Sequence, residues 1–235
     1  MVTLYIRPRD YNRCSKWSPF ASIQASKRFT KLSQIAAEKV FTIEQAHNRQ
    51  NDRQLLPEGK LKSSKANFVS RRHFPASVMV WAGVCGTGKT PLVFVEKGVK
   101  INAKVYQESI LKVVVHPWAQ NHFKNQPWTF QQDWAPAHKA NSSRNLCKAL
   151  FPAVWDVDVW PSNSPDLNPL DYSVWSILEK KVCSIQHATV DSLKRDLEKA
   201  WAEITVDNLA AICDNFVKRL DACIEAKGDH FEHLL

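Results

Sequence analysis

The sequence predicts an α/β fold in which a mixed sheet is flanked by helices. Strand-like segments come first, strand-like and helix-like segments then alternate, and residues 185–235 are helical in pattern. Of the 235 residues, 44% are hydrophobic and 23% are charged, which is typical of a globular protein with a sizeable core. We therefore divide the chain into a basic arm (1–36), a main domain (37–184) and a helical extension of that domain (185–235).

Three segments rich in β-branched and aromatic residues predict the first strands. They are Lys39–Glu44, Ser77–Val84 and Pro91–Glu96. A glycine-rich turn separates the second segment from the third, so these two are expected to form a hairpin.

The middle of the chain predicts helices that alternate with short strands. Asn102 is a suitable N-cap for a helix that ends near His122. The remaining predicted elements are a strand at Trp128–Gln132, a helix over 137–150, a strand near 157–160 and a helix over 169–182.

Two apolar stripes at helical spacing predict the helices of the last segment. The first stripe contains Val190, Leu193, Leu197 and Trp201, and the second contains Leu209, Ile212, Phe216, Leu220 and Cys223. We interpret both stripes as surfaces that pack against the sheet.

The segment Gly83–Thr90 matches the P-loop pattern GxxxxGK[ST]. A P-loop requires a helix to begin at its Lys-Thr pair, so that the helix N-terminus faces the phosphates. Pro91–Val95 reads instead as a strand. The sequence therefore favours a hairpin turn, and a nucleotide-binding protein is the alternative that it disfavours.

Basic residues are concentrated in the first third of the chain. The net charge is +9, and residues 1–75 carry 15 basic against 5 acidic residues. This asymmetry favours a polyanionic partner, above all nucleic acid, over a solvated basic surface without a partner. The candidate nucleic-acid-binding residues are Arg49, Arg53, Lys60, Lys62, Lys65, Arg71, Arg72 and His138.

The N-terminus and the apolar runs exclude other classes of protein. The first residues contain no apolar signal-peptide region, and the uncharged apolar runs are shorter than the ~20 residues that span a bilayer. We expect an intracellular protein that is not secreted, has no membrane partner and takes no small-molecule substrate.

Two aspartates carry the chemistry in this interpretation. Asp133 follows the predicted strand Trp128–Gln132, and Asp171 lies in the first turn of the helix that begins at Pro169. Carboxylates at a strand end and a helix start can meet at the edge of an α/β sheet and hold divalent metal ions for phosphodiester chemistry. The alternatives are a turn-forming Asp133, an Asp171 that complements the helix dipole, and a solvated His138 at a helix start.

Four stretches give the sequence a resemblance to mariner-type transposases. They are Phe130–His138 (FQQDWAPAH), Trp160–Trp175 (WPSNSPDLNPLDYSVW), Ser77–Trp81 (SVMVW) and Glu38–Ile43 (EKVFTI). The resemblance runs from about residue 29 to the end of the chain. The last acid is Asp171, and 37 residues lie between it and Asp133, which is similar to the aspartate-ending branch of the family.

The resemblance implies a ribonuclease H-like fold, Mg²⁺ or Mn²⁺ as cofactor, and DNA strand cleavage and transfer. It makes Asp133 and Asp171 catalytic metal ligands. It further implies DNA as the partner, a homodimer on DNA, and a nuclear location.

The chain departs from the family pattern at two places. Ala37 stands where the family has its first metal-binding Asp, and a methyl group cannot coordinate a cation. Glu38 is adjacent, but neighbouring side chains of a strand point to opposite faces. The family's N-terminal helix-turn-helix modules are not recognisable in residues 1–36. We expect an N-terminally truncated, catalytically impaired domain, and a non-catalytic nucleic-acid-binding or interaction remnant is the alternative.

Overall fold

The computed structural model describes residues 33–44, 75–96, 98–99, 101–155 and 164–235. The strands are β1 (Ser33–Thr42), β2 (Ser77–Cys85), β3 (Gly88–Lys89), β4 (Val93–Val95) and β5 (Thr129–Gln132). The predicted DNA-binding residues between 49 and 72, the predicted strand near 157–160 and almost all of the basic arm lie outside the described residues.

In the part of the chain that the structure describes, six helices flank the strands. Helix α1 continues through Ala103–Val105, the π-helical Tyr106–Val115 and His116–Phe123, and helix α4 through the π-helical Leu170–Val174 and Trp175–Val182. The others are α2 (Pro136–Lys139), α3 (Asn141–Leu150), α5 (Val190–Ala202) and α6 (Val206–Glu225), and short 3₁₀ turns cover Pro165–Leu167 and Glu232–Leu234. Among the described helices, none is long and apolar enough to cross a membrane.

The sheet is mixed, as the sequence predicts. Its strand order is β3-β2-β1-β5, and β4 also pairs with β2. Strand β1 is antiparallel to β2 and parallel to β5, so it lies in the centre of the sheet. The carboxyl ends of β1 and β5 therefore meet at the same edge.

Strand β1 begins earlier than its sequence predicts. The prediction starts at Lys39, whereas the strand starts at Ser33 and all five residues from Ser33 to Ala37 are buried. Ser and Ala have little intrinsic strand preference, but pairing on both sides and burial on both faces outweigh that preference here.

The predicted helices are present in the structure, but one of them is broken into two. Asn102 is the N-cap of α1, and its side chain accepts a hydrogen bond from the Val105 amide at 2.9 Å. The helix predicted over 137–150 is broken at Ala140, whose ψ of 134° is extended, and this break separates α2 from α3.

Apolar clusters cover both faces of the sheet. On one face, Ala37, Val80 and Ala82 pack against α4, α5 and α6, and on the other face Ala36 and Trp81 pack against α1 and α3. The stripes predicted from 190–201 and 209–212 belong to the first cluster, while Phe216, Leu220 and Cys223 form a third cluster with Trp155 and Phe231. The alternation of β1 between the two clusters decides which of its side chains reach the site described next.

The segment Gly83–Thr90 is a hairpin turn. Val84 pairs with Lys89 and Cys85 with Gly88 across β2 and β3, and the next described element after Thr90 is strand β4 instead of a helix. The Lys89 ammonium donates to the carbonyl oxygens of Trp201 and Ile204 at the end of α5. Lys89 therefore complements the C-terminal end of a helix, where cations are favoured, and does not stand at the start of a phosphate-binding helix.

Candidate functional site

The pairing of β1 with β5 places Ala37 beside Asp133. Ser33 pairs with Thr129 and Ala36 with Gln132 in a continuous parallel register. Extended by one residue beyond the last of these pairs, the same register puts Ala37 next to Asp133, which directly follows β5. The Ala37 side chain is 1% exposed and lies in the apolar cluster that contains Leu170 and Val174 of α4.

Asp171 lies in the first turn of α4, which packs on the same face of the sheet as Ala37. The turn is fixed by Asn168, whose side-chain oxygen accepts a hydrogen bond from the Leu170 amide at 3.0 Å. Burial, followed by the negative charge of Asp133, raises the pKa of Asp171 to about 7. The structure thus brings the second predicted aspartate within electrostatic reach of the first.

The carboxylate of Asp171 makes no hydrogen bond or ion pair with any residue that the structure describes. The nearest compensating charge is that of Lys39, which acts to lower its pKa. The Lys39 ammonium, however, forms an ion pair with Glu179 at 2.9 Å. A largely buried carboxylate beside a second carboxylate, without a partner of its own, suits a bound cation.

One oxygen of Asp133 holds two hydrogen bonds. Oδ1 accepts from the Ala135 amide at 3.0 Å and contacts Nδ1 of His138 at 2.6 Å. Burial acts to raise the pKa of Asp133, but the hydrogen bond and charge of His138 outweigh it, so that the pKa lies below its ordinary value. Oδ2 of Asp133 has no hydrogen bond among the described residues.

The interpretation of His138 as a solvated residue at a helix start is wrong. Its side chain is fully buried, and its ring packs against that of Tyr106 at a tilt of 39°, with 4.0 Å between ring centroids. Pro136 and Ala137 begin α2, and this turn folds the histidine back under the end of β5. A buried ring of this kind does not favour a direct DNA contact for His138.

Glu38 is the residue that the sequence reasoning missed. Its Oε1 lies 3.0 Å from Nε2 of His138, so the imidazole ring bridges Glu38 and Asp133. Burial acts to lower the pKa of His138, but the two carboxylates raise it to about 9. The alternation of β1 contains the signal: Glu38 is on the face of Ala36 and Trp81, toward α1, and not on the face of Ala37.

The side chains of Glu38, Asp133 and His138 form a group that could hold a metal ion, with ligand atoms within 4.8 Å of one another. The two carboxylates contact opposite nitrogens of the ring. An ion bound at one ring nitrogen cannot also be bound at the other, so the observed arrangement is a hydrogen-bonded bridge. The ligands available to an ion without moving this bridge are Asp171 and the remaining oxygen of Asp133.

Sequence comparison gives several relatives among transposases. The chain is 30% identical over 172 residues to the Tc1 transposase of Caenorhabditis elegans, a match that covers 73% of this chain and 60% of that protein. It is 32% identical over 163 residues to the Tc3 transposase of the same organism, covering 68% of this chain and 47% of the relative. The chain thus spans about half the length of these relatives. No protein-family model matches it.

Structure comparison gives the fold. The Mos1 transposase paired-end complex with the left transposon end superimposes with a TM-score of 0.84 at 19% identity, covering 99% of this chain and 66% of that chain. The Mos1 mariner paired-end complex with Mn gives a TM-score of 0.83, also at 19% identity, with the same coverage of both chains.

The catalytic domain of Mos1 mariner transposase alone gives a TM-score of 0.73 at 18% identity, covering 99% of this chain and 100% of that domain. The mixed sheet with helices on both faces is therefore the ribonuclease H-like fold of that domain, as the sequence predicts. Together with the Tc1 relatives, this shows that the chain is related in sequence to Tc1/mariner transposases and has the fold of the mariner transposase catalytic domain.

Proposed function

We propose that the chain is a transposon-derived DNA-binding domain whose DNA strand cleavage is impaired because Ala37 replaces a metal ligand. The β1–β5 register carries this proposal, since it puts the Ala37 methyl group beside Asp133 on the face of the sheet where α4 places Asp171. A third carboxylate at position 37 would complete the set of oxygen ligands around one point.

The residues that remain fit a divalent ion. Asp133 and Asp171 would hold it, with Mg²⁺ or Mn²⁺ as the ion, because carboxylate oxygens are the ligands that these cations prefer. Bound here, divalent ions would supply activation of the attacking oxygen and stabilisation of the leaving oxygen in phosphodiester cleavage, two tasks that two-metal sites divide between their ions. The Mos1 relatives include paired-end complexes with Mn and with Mg, which supports this ion class.

DNA is the proposed partner. One of the similar Mos1 structures is a paired-end complex with the left transposon end, and the basic first third of this chain supplies charge that attracts a polyanion. The groove beside Tyr172 is lined by Lys218 and Arg219 but also by Asp221 and Glu225, so it adds no charge preference. A homodimer on DNA, a nuclear location and the division into arm, main domain and helical extension belong to the same proposal.

A non-catalytic DNA-binding protein is the second candidate. The burial of Ala37 in an apolar cluster favours it, because the alanine side chain is part of the packed core at this position. In this case the fold persists after its chemistry has been lost.

The Ala37→Asp variant distinguishes the two candidates. We expect it to nick supercoiled DNA in Mn²⁺ at least about tenfold faster than the wild-type chain, because a third carboxylate completes the metal site. Ala37→Asn is the matched control, since it has nearly the same size without the charge, and it should remain as inactive as the wild type. Adding Asp133→Asn to Ala37→Asp should remove the gain.

Folding is checked by circular dichroism in Mn²⁺, since position 37 is buried. A folded Ala37→Asp variant that binds DNA without nicking it would favour the non-catalytic candidate. If Ala37→Asp does not fold, Ala37→Glu provides the same carboxylate on a longer side chain, and the same comparison is made with it.

A further inference from the structure

We propose that His138 and Glu38 are positioning residues that fix the carboxylate of Asp133 for its metal ion. This inference rests on the proposed function, in which Asp133 is a metal ligand. His138 acts on Asp133 directly, and Glu38 acts through His138. Neither residue needs to contact the ion or the DNA.

The contacts of Asp133 show how its orientation is set. An aspartate side chain has two rotatable bonds, and both donors of the described residues, the Ala135 amide and Nδ1 of His138, converge on the same oxygen. The second oxygen is left without a hydrogen bond in this part of the chain. One oxygen is thus held by the protein and the other is available to a cation.

The orientation of the His138 ring is itself fixed from three sides. Glu38 contacts Nε2 at 3.0 Å from strand β1, on the opposite side from Asp133. Tyr106 of α1 packs against the ring at a tilt of 39°, and its hydroxyl donates at 2.7 Å to Gln132, the residue directly before Asp133. The ring is fully buried, so it cannot turn away into solvent. Glu38 therefore determines which nitrogen of His138 faces Asp133.

A purely structural role is the alternative, in which His138 only connects α2 to the sheet. Two substitutions of equal charge separate the roles. In His138→Asn the side-chain amide lies near the place of Nδ1 and keeps a donor for Asp133. In His138→Gln the amide lies near the place of Nε2, so it keeps a partner for Glu38 and leaves Asp133 without its donor.

The measurement is a calorimetric Mn²⁺ titration of the wild-type chain and both variants. We expect His138→Asn to bind Mn²⁺ within about threefold of the wild type, and His138→Gln to bind about tenfold more weakly, the loss typical of removing a group that orients a metal ligand. His187→Gln is the control, because His187 is also buried and contacts a carboxylate, that of Asp196 at 3.4 Å, away from Asp133. It should lower stability without changing the Mn²⁺ affinity.

A second measurement is made without metal, on the side-chain carboxyl carbon signal of Asp133 in the nuclear magnetic resonance spectrum. This signal is assigned by its absence in Asp133→Asn. The signal should stay near its wild-type position in His138→Asn and move in His138→Gln. The positioning role therefore has a readout that does not depend on any bound ion or on nicking.

The outcomes separate this inference from the proposed function. Equal Mn²⁺ affinities in the Asn and Gln variants, with binding by the wild type, would overturn the positioning role and leave the proposed function intact. If the wild type does not bind Mn²⁺, the metal binding in the proposed function is wrong, and the positioning role is tested by the carboxyl carbon signal of Asp133. Different signal positions in the two variants would support that role. Equal positions would overturn it.

Discussion

Ala37 determines what the site can do, because its neighbours place it among potential metal ligands. It stands beside Asp133 in the sheet and lies in the same cluster as the first turn of α4, which contains Asp171. A methyl group there has no lone pair to offer a cation. The site therefore has the carboxylates of Asp133 and Asp171 as its ligands. These two carboxylates repel each other, and a bound cation would relieve that repulsion.

The burial of Asp171 and its repulsion by Asp133 make stability depend on pH through the Asp171 carboxyl. The pKa of Asp171 in the folded chain, about 7, lies above its ordinary value of 3.8. The folded state thus holds this proton more tightly than the unfolded state does. The associated stability is fully present below about pH 4 and is lost as the pH rises through 7.

The Asp171→Asn variant should lack this loss. In metal-free buffer we expect it to be more stable than the wild type at pH 8 by roughly 3 kcal/mol, and equally stable near pH 4. Urea unfolding at both pH values measures the difference. His138 titrates in both proteins, so its contribution largely cancels. The same pH dependence in both proteins would contradict the assignment of a buried, repelled Asp171.

The sequence could identify Asp133 and Asp171, because each ends or begins a predicted element within a string that resembles the family. It could not identify the bridge through His138. Glu38 and His138 are 100 residues apart and meet only because β1 and β5 are paired and α2 folds back under the strand end. Local spacing around His138 predicts a solvated helix start, and tertiary burial overrides it.

At the scale of elements, periodic segments were predicted well and buried central ones less well. The apolar stripes of α5 and α6 specify both helices, and Thr189 and Thr205 begin them with capping boxes. The first half of β1 has no such pattern, because Ser33, Ala36 and Ala37 are selected by close packing inside the sheet. Its start was therefore predicted too late.

The hairpin between β2 and β3 depends on a glycine for a steric reason. A Cβ added at Gly88 would lie 2.6 Å from Cε1 of His122. The His122 ring cannot easily yield, since it stacks on Trp118 and hydrogen-bonds Thr87 at 2.8 Å. This close approach, and not phosphate binding, accounts for a glycine at this position.

The Gly88→Ala variant should therefore lower the free energy of unfolding by about 1 to 3 kcal/mol, as overpacking does. Urea unfolding checks this. The His122→Ala substitution removes the ring. In the His122→Ala background, Gly88→Ala should therefore lower the free energy of unfolding much less than it does in the wild type. An unchanged cost of Gly88→Ala in the His122→Ala background would show that the contact with the ring is not responsible.

At the scale of the whole molecule, the candidate metal site and the positive charge lie in different parts of the chain. The sheet and its helices, which the structure describes, contain both aspartates and the bridge that holds one of them. The positive charge is concentrated in residues 1–75, most of which lie outside the described residues. The fold class was predictable, since the order of strands and helices restricts the chain to few topologies. Which side chains meet at the sheet edge depends on strand register, which the sequence alone does not specify.

The central claim is that Asp133 and Asp171 converge on one metal ion in a site that lacks its third carboxylate. A calorimetric Mn²⁺ titration of the wild-type chain beside Asp133→Asn and Asp171→Asn tests it most directly, with folding of all three checked by circular dichroism. We predict weak binding of one ion by the wild type and its loss in both variants. Absence of binding by the wild type, or binding that either variant retains unchanged, would contradict the claim.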